Sequence, residues 1–177
     1  TGTGGVGGAE CPAGSHLEAG ECRSAIAGWA TAPELPEATD HHVSFIVEGD
    51  EADHLLVVGG FDGTGVVNDV RRAAIDHGEV GSWETMAPLP EVMSGQGLAI
   101  IGDRLVLTGG RRSNFAIQPT TNIGTVSATG ELTGWTIGPP MALSRFHHTT
   151  EVHDGTIYVI GGLVGGGTNN TDNVARF

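Results

Sequence analysis

The stretch HDGTIYVIGGL, from His153 to Leu163, decides the fold of this chain. An Asp-Gly turn leads into an apolar β-strand pattern, and the strand ends in the glycine pair Gly161 and Gly162. Glycine is a poor strand former and leaves no side chain to pack. The glycine pair therefore points to a requirement of backbone conformation, and not to side-chain packing in the core.

An apolar strand that ends in Gly-Gly occurs three times, as HLLVVGG (54–60), RLVLTGG (104–110) and TIYVIGG (156–162). The glycine pairs are 50 and 52 residues apart. The tryptophans, at Trp29, Trp83 and Trp135, keep a similar spacing of 54 and 52 residues, and each precedes a proline-bearing turn. A period near 50 with four short strands per unit is typical of a β-propeller, whose repeat units are called blades.

These features resemble the kelch repeat family. The resemblance rests on the Gly-Gly strands, the tryptophan downstream of the first two of them, the segment LSRFHH with Arg145 and His148, and the paired sub-patterns DHGEVGSW (76–83) and TGELTGW (129–135). It covers residues 25–177 and implies an all-β fold with three four-stranded kelch-type blades. The middle repeat departs from the pattern, because it has MSGQ where the outer two have DHH and FHH.

Structural roles follow for the repeated residues. In a propeller the inner strands are crowded, so the glycines would allow close backbone approach and a bulge. Each tryptophan would fill the wider gap between adjacent blades. The residues expected to be structural are Trp29, Trp83, Trp135, Gly59, Gly60, Gly109, Gly110, Gly161, Gly162, Arg145 and His148.

A Gly-rich leader, residues 1–24, precedes the repeats and holds the two cysteines, Cys11 and Cys22. A disulfide between them is favoured over two unpaired thiols, because two cysteines alone cannot complete a tetrahedral zinc site. A disulfide indicates an oxidising compartment. We therefore expect a bacterial-type protein that is secreted or at the cell surface, the periplasm included.

The charge balance excludes several partners. The chain has 21 acidic and 8 basic residues, a formal net charge of −13, which repels phosphate backbones and anionic membranes. We expect no nucleic-acid partner and no membrane span, since no apolar run reaches about 18 residues. No cofactor is predicted.

Two histidine pairs are the strongest candidates for metal binding. His41 and His147 each begin a His-His pair at the same place in the outer repeats, and imidazoles from different blades can share a metal. The alternative, which we favour, is that these histidines pack and hydrogen-bond between blades. Calcium is a weaker hypothesis for EGDEAD (48–53) and FDGTG (61–65), because neither matches a calcium-binding loop.

No complete catalytic set can be read from the chain. The leading hypothesis is a non-enzymatic binding or assembly module outside the cytoplasm, which contacts a surface protein or glycan through the loops 61–67, 111–121 and 163–171. The alternative is a sugar-acting, sialic-acid-related enzyme or enzyme subunit, which would need several convergent arginines. The candidate binding residues are Asp62, Asn68, Arg111, Arg112, Asn114, Asn169 and Asn170.

Three blades are fewer than the four to eight of closed propellers. They would leave two open sheet faces with exposed apolar surface. We predict that the strand 25–33, around Trp29, completes the last blade of a second copy, so that two chains close about six blades by two-fold symmetry. The alternatives are a filament built by the same strand exchange, or the remainder of a longer propeller.

Overall fold

The computed structural model describes residues 15–18, 21–24, 31–127 and 129–177. The described chain is all-β, which confirms the predicted fold class. A single-turn 3₁₀ helix, Gly165–Gly167, is the one helical segment in these ranges. The strands are β1 (Ser15–Glu18), β2 (Glu21–Ser24), β3 (Val43–Val47), β4 (Asp53–Phe61), β5 (Val66–Asp76), β6 (Glu79–Thr85), β7 (Gly97–Ile101), β8 (Arg104–Thr108), β9 (Thr121–Val126), β10 (Leu132–Gly138), β11 (Thr149–His153), β12 (Thr156–Ile160), β13 (Leu163–Val164), β14 (Asn169–Asn170) and β15 (Val174–Arg176).

The chain divides into two compact units, Thr1–Ala32 and Pro33–Phe177. In the first unit, β1 and β2 form an antiparallel hairpin, and Cys22 lies in β2. Cys11 and Trp29 lie outside the described residues. The disulfide and the strand around Trp29 therefore stay predictions.

The second unit consists of three antiparallel sheets that follow the repeats. The first blade is β3-β4-β5-β6, the second is β7-β8-β9-β10 and the third is β11-β12-β15. Each sheet is a meander in chain order, as expected for propeller blades. The third blade has three strands in the described part of the chain, and a small hairpin of β13 and β14 precedes β15.

The core lies between neighbouring blades. Side chains alternate along a strand, so each central strand presents one set of residues to the blade before it and the other to the blade after it. Leu56 and Val58 of the first blade pack with Leu105 and Leu107 of the second in one cluster. A separate cluster, formed by Ala99, Val106, Ile157 and Val159, joins the second blade to the third.

The first two glycine pairs lie where one blade's backbone meets the next. Gly59 has φ +62°, and a Cβ there would lie 2.5 Å from the carbonyl oxygen of Met93, in the segment that leads into the second blade. The N–H of Gly60 donates to the same oxygen at 2.8 Å. Gly109 repeats the arrangement, since its Cβ would lie 2.3 Å from the carbonyl oxygen of Arg145. A side chain at these positions would push the blades apart.

Two of the three repeated tryptophans lie in the outermost strands, and both are half-buried. The indole N–H of Trp83 in β6 donates to the carbonyl of Pro33 at 3.1 Å. Trp135 in β10 makes the equivalent bond to Ala87 at 3.5 Å and packs against the cluster between the first two blades. Each indole thus ties the outer strand to the segment that leads into its own blade.

Candidate functional site

The three loops that were predicted to bind a partner begin at equivalent positions. The residue after each glycine pair forms an isolated antiparallel bridge with the segment that leads into the same blade. These bridges join Asp40 to Phe61, Ser94 to Arg111, and Phe146 to Leu163. The loops 61–67, 111–121 and 163–171 therefore start beside the same structural element in all three blades.

A backbone ladder connects these elements from blade to blade. The N–H of Gly95 donates to the carbonyl of His41 at 2.8 Å, and the N–H of His147 donates to the carbonyl of Gly95 at 2.8 Å. All three residues have left-handed φ values, +52° at His41, +65° at Gly95 and +54° at His147. We call these residues the inner ladder.

The inner ladder brings together the two histidines singled out as metal candidates. The imidazole rings of His41 and His147 stack with centroids 4.7 Å apart and an interplanar angle of 15°. Nδ1 of His41 lies 2.6 Å from Oδ1 of Asp40. Stacked rings direct their in-plane lone pairs along parallel lines rather than toward one point. Within the described ranges, no group of three or more His, Cys, Asp or Glu residues could hold a metal ion.

Burial and nearby charge disfavour protonation of His147. Partial burial lowers the pKa of His147 below its ordinary value, and nearby His41 and Arg111 lower it further. A lowered pKa keeps the imidazole of His147 neutral at neutral pH. A neutral ring can lie against a second imidazole without charge repulsion.

Arg111 extends from the start of its loop over two aromatic rings. Its guanidinium carbon lies 4.9 Å from the ring centroid of Phe115 and 5.5 Å from that of Phe146, within cation–π range. Its Nε donates to Oγ of Ser94 at 3.3 Å. In the part of the chain that the structure describes, no carboxylate pairs with Arg111. We call the set formed by His41, Arg111, Phe115, Phe146 and His147 the Arg111 cluster.

The other candidates in this loop hold its shape. Arg112 forms an ion pair with Glu91, and its N–H donates to the carbonyl of Ala116 at 3.1 Å. The side-chain oxygen of Asn114 accepts the N–H of Ala116 at 3.1 Å. The loop therefore closes on itself and leaves Phe115 at its tip, 58% exposed and with φ +61°.

Candidates in the first blade are engaged with the protein itself. Oδ1 of Asp62 accepts the Thr64 hydroxyl at 2.8 Å and the backbone N–H groups of Thr64 and Gly65, both at 2.7 Å. The bond from the Thr64 hydroxyl, followed by the two backbone bonds, lowers the pKa of Asp62. Asn68 donates from Nδ2 to the carbonyl of Leu89 at 3.1 Å. Asp62 thus supports its own turn, and Asn68 joins the first blade to the second.

The third blade's candidates Asn169 and Asn170 form β14 and are exposed. They pair with β13 in the loop that follows the third glycine pair. The structure brings neither of them into the Arg111 cluster, and it records no contact between their side chains and that cluster.

Arg145 and His148 lie behind the cluster in the interior. Arg145 is fully buried, and its NH1 donates to the carbonyls of Gly161 and Asn173, both at 3.0 Å. Burial lowers its pKa. Nε2 of His148 lies 3.0 Å from Oγ1 of Thr108 in the preceding blade. Burial, followed by the charges of Arg145 and His147, lowers the pKa of His148 to about 4.

Sequence reasoning missed the aromatic part of the site. Phe115 and Phe146 were not among the candidates, although both stand in quoted or candidate segments, RRSNF and LSRFHH. An aromatic residue three or four positions after an arginine in a polar loop was the available signal. The sequence does not show that two loops of different blades place these rings beside one guanidinium.

Comparison with known proteins agrees with the observed kelch-type blades. A family profile described as the kelch motif matches residues 144–177. A human protein described as Kelch-like protein 33 is 29% identical over 140 residues. The solved structure titled "Structure of YjhT" superposes with a TM-score of 0.62 at 17% sequence identity and matches 84% of this chain. The chain is a kelch-repeat protein.

The kelch-repeat chain spans only part of these proteins. The aligned region is 78% of this chain but 25% of Kelch-like protein 33. The chain covers 48% of the YjhT structure, about half of its length. The similarity to YjhT concerns the fold. Among the described residues, no helix is long and apolar enough to cross a membrane.

Proposed function

We propose that this kelch-repeat chain is a non-enzymatic binding module outside the cytoplasm, and that it holds a protein or glycan at the Arg111 cluster and the adjoining blade loops. The observation that carries the proposal is the guanidinium of Arg111. It lies over two aromatic rings, and no carboxylate of the described chain pairs with it. An arginine in this state keeps N–H donors for an external acceptor.

The cluster combines two kinds of recognition. Free guanidinium N–H groups suit a carboxylate or hydroxyl oxygen of a ligand. The exposed ring of Phe115, 58% accessible, offers a flat apolar surface for a sugar face or an apolar side chain. Because the chain carries a net charge of −13, a cation without an acidic neighbour stands out from the rest of the surface.

The extracytoplasmic setting is supported by the two leader cysteines. A disulfide between Cys11 and Cys22 requires an oxidising compartment. Mass spectrometry after alkylation without reduction measures it directly. Recovery of an unmodified Cys11–Cys22 peptide pair supports this part of the proposal, and alkylation of both thiols in protein from the native source contradicts it.

The binding role is tested on arrays of glycans and acidic peptides. We expect the wild-type protein to bind a subset of probes, and Arg111→Gln and Phe115→Ser each to weaken that binding by about tenfold or more. Arg104→Gln is the matched control, because Arg104 is exposed in β8 and lies far along the strand from the loop. Binding that survives both cluster variants, or that is lost equally in the control, contradicts the assignment.

The same arginine is the one observation that favours a second candidate, an enzyme or enzyme subunit for an acidic sugar. An unpaired guanidinium is a carboxylate receptor. Thermal unfolding with millimolar sialic acid separates the two. Stabilisation that disappears in Arg111→Gln, together with turnover of a sialoside, supports the enzyme. Absence of both removes it.

A further inference from the structure

A cavity of about 520 Å³ lies between the first and second blades. One wall is the end of β3, with Val47 and Glu48, and the other wall consists of the end of β7, the start of β8 and the end of β9. Both walls belong to complete four-stranded blades, so the cavity is a property of the joint between them. Its volume falls in the range of small-molecule sites, about 300–1,000 Å³.

Ile100 in β7 is the exposed apolar residue of this cavity. Side chains alternate along a strand, so Ile100 faces the same way as Leu98, which packs against the core cluster between the first two blades. Ile100 is nevertheless 41% exposed. A Cβ at Gly102, in the turn that follows, would meet no atom within 4 Å. The two blades therefore part beyond the core cluster and leave an apolar surface open to solvent.

The floor of the cavity is the edge of the core itself. Leu105 in β8 and Val126 in β9 line the cavity and belong to the core cluster, with 1% and 6% exposure. Val47 packs against the same cluster from the first blade. The N–H of Val126 donates to the carbonyl of Asp103 at 2.8 Å, which holds β9 against the turn. An apolar group on this floor would displace water from aliphatic side chains that the fold already holds in place.

Two carboxylates stand at the mouth of the cavity, one from each blade. Glu48 follows β3 and is exposed, and no basic residue of the described chain pairs with it. Asp103 is 67% exposed, and Nε of Arg104 lies 4.0 Å from its Oδ1. An exposed pair at this distance contributes little. Both carboxylates are therefore available to an external cation.

The two carboxylates are specific to this interface. At the interface between the second and third blades, glycines occupy the equivalent positions, since Gly102 stands 54 residues after Glu48 and Gly155 stands 52 residues after Asp103. These offsets are the ones that align β3 with β7 and β8 with β12. Val152, the counterpart there of the exposed isoleucine, is 38% exposed. The second interface thus repeats the exposed aliphatic residue without the charges, so the joint between blades does not require them.

We propose that this cavity binds a small organic molecule that carries a primary ammonium group on an aliphatic body. The aliphatic body lies against Ile100 and Val126, and the ammonium group donates hydrogen bonds to the carboxylates of Glu48 and Asp103. The net charge of −13 favours the approach of a cation. The cavity lies at the opposite end of β8 from Arg111, so the inference does not rest on the proposed function.

Other cations fit this cavity less well. Calcium takes about six to eight oxygen ligands, and no group of three or more His, Cys, Asp or Glu residues in the described chain could hold a metal ion. A quaternary ammonium group is recognised by aromatic faces, and the described residues that line the cavity include no aromatic side chain. A primary ammonium group instead has N–H donors for both carboxylates.

Titration of the full chain with cyclohexylmethylamine, followed by calorimetry and by methyl NMR, tests the proposal. We expect saturable binding that shifts the methyl signals of Ile100, Leu105 and Val126. Cyclohexylmethanol has the same body without the charge, and methylamine has the charge without the body. Each should bind at least ~10-fold more weakly. An alcohol that binds as tightly as the amine, or the absence of saturable amine binding, overturns the proposal.

Variants of the rim and of the wall locate the bound amine. Glu48→Gln and Ile100→Thr should each raise the dissociation constant of cyclohexylmethylamine at least ~5-fold. Both residues are exposed, so the variants should keep the unfolding midpoint of the wild type, which separates loss of the site from misfolding. Asp50→Asn, at an exposed carboxylate outside the cavity, and Val152→Thr are the matched controls and should bind as wild type. Equal losses in the controls, or wild-type affinity in both cavity variants, contradict the site.

Discussion

His41 and His147 stack face to face across Gly95, although 106 residues of sequence separate them. One histidine belongs to the first blade and the other to the third, and the second blade contributes only a glycine between them. A Cβ on Gly95 would lie 2.7 Å from Cδ2 of His147. The departure of the middle repeat from the kelch pattern is therefore what allows the two outer repeats to meet.

Gly95→Ala should destabilise the protein and separate the imidazoles. The left-handed φ of +65° costs a residue with a Cβ about 1–2 kcal/mol, and displacement of the His147 ring adds to it. Urea unfolding measures the free energy. Gly102→Ala is the control, because Gly102 has φ +58° but open space around it. Equal losses in the two variants would contradict the steric account.

The stability of the protein should fall as the pH falls from about 6.5 to about 4. The pKa of His148 is lowered to about 4 by burial, below its ordinary value of about 6.5. In that window the unfolded chain binds the proton and the folded chain does not, so protonation favours unfolding. The shift corresponds to about 3 kcal/mol. Below the folded pKa the dependence on His148 levels off.

His148→Gln should flatten this pH dependence. Glutamine occupies the same position in the middle repeat, where Gln96 donates across the blade interface. Unfolding free energies of wild type and variant at several pH values give the difference directly. His153→Gln, at an exposed histidine of β11, should leave the profile unchanged. If the unfolding free energy of His148→Gln depends on pH as steeply as that of the wild type, other titratable groups cause the dependence.

Arg145→Met should cost about 1–3 kcal/mol, the cost of leaving a polar group without its hydrogen-bond partner away from bulk water. The buried guanidinium of Arg145 donates to the part-buried carbonyls of Gly161 and Asn173. Methionine is the natural residue at this position in the middle repeat, as Met93, so its shape suits the site. Chemical denaturation measures the loss, with Arg104→Met as an exposed control. A change under about 0.5 kcal/mol would mean that solvent reaches these carbonyls.

Glu131→Gln should cost less than about 1 kcal/mol. Arg72 in the first blade donates to Oε1 of Glu131 in the second at 2.6 Å and to Oε2 of Glu84 at 2.8 Å. Glu131 is half exposed, so solvent screens the pair. The salt dependence of unfolding should become weaker in the variant. A loss of several kcal/mol would show that this ion pair is an organising contact between the blades.

The repeat period made most of the architecture predictable. The three Gly-Gly strands became β4 with its glycine end, β8 and β12, and the predicted all-β kelch fold is confirmed. Two tryptophan strands are the outermost strands of their blades. These features were readable because a propeller blade is built from local pairings, and each hairpin is specified by the residues of one repeat.

The candidate site was only partly predictable. Arg111, His41 and His147 were singled out in the sequence, but as separate hypotheses about a polar loop and a metal. Asp62 and Asn68 are of residue types that are common in binding sites, yet their side chains hydrogen-bond to the protein's own backbone. Residue type alone does not distinguish a polar side chain that hydrogen-bonds within the fold from one that is left for a ligand.

The sequence by itself determined the local order: where strands begin and end, which positions must be glycine, and how often the unit repeats. These depend on contacts within one repeat. Only the tertiary structure decided which residues of different repeats meet, such as Arg111 with Phe146, and which core positions stay uncovered, such as Ile160. The physical reason is that both outcomes depend on how blades pack face to face. Equivalent positions such as Val58 and Ile160 are then buried in one repeat and exposed in another.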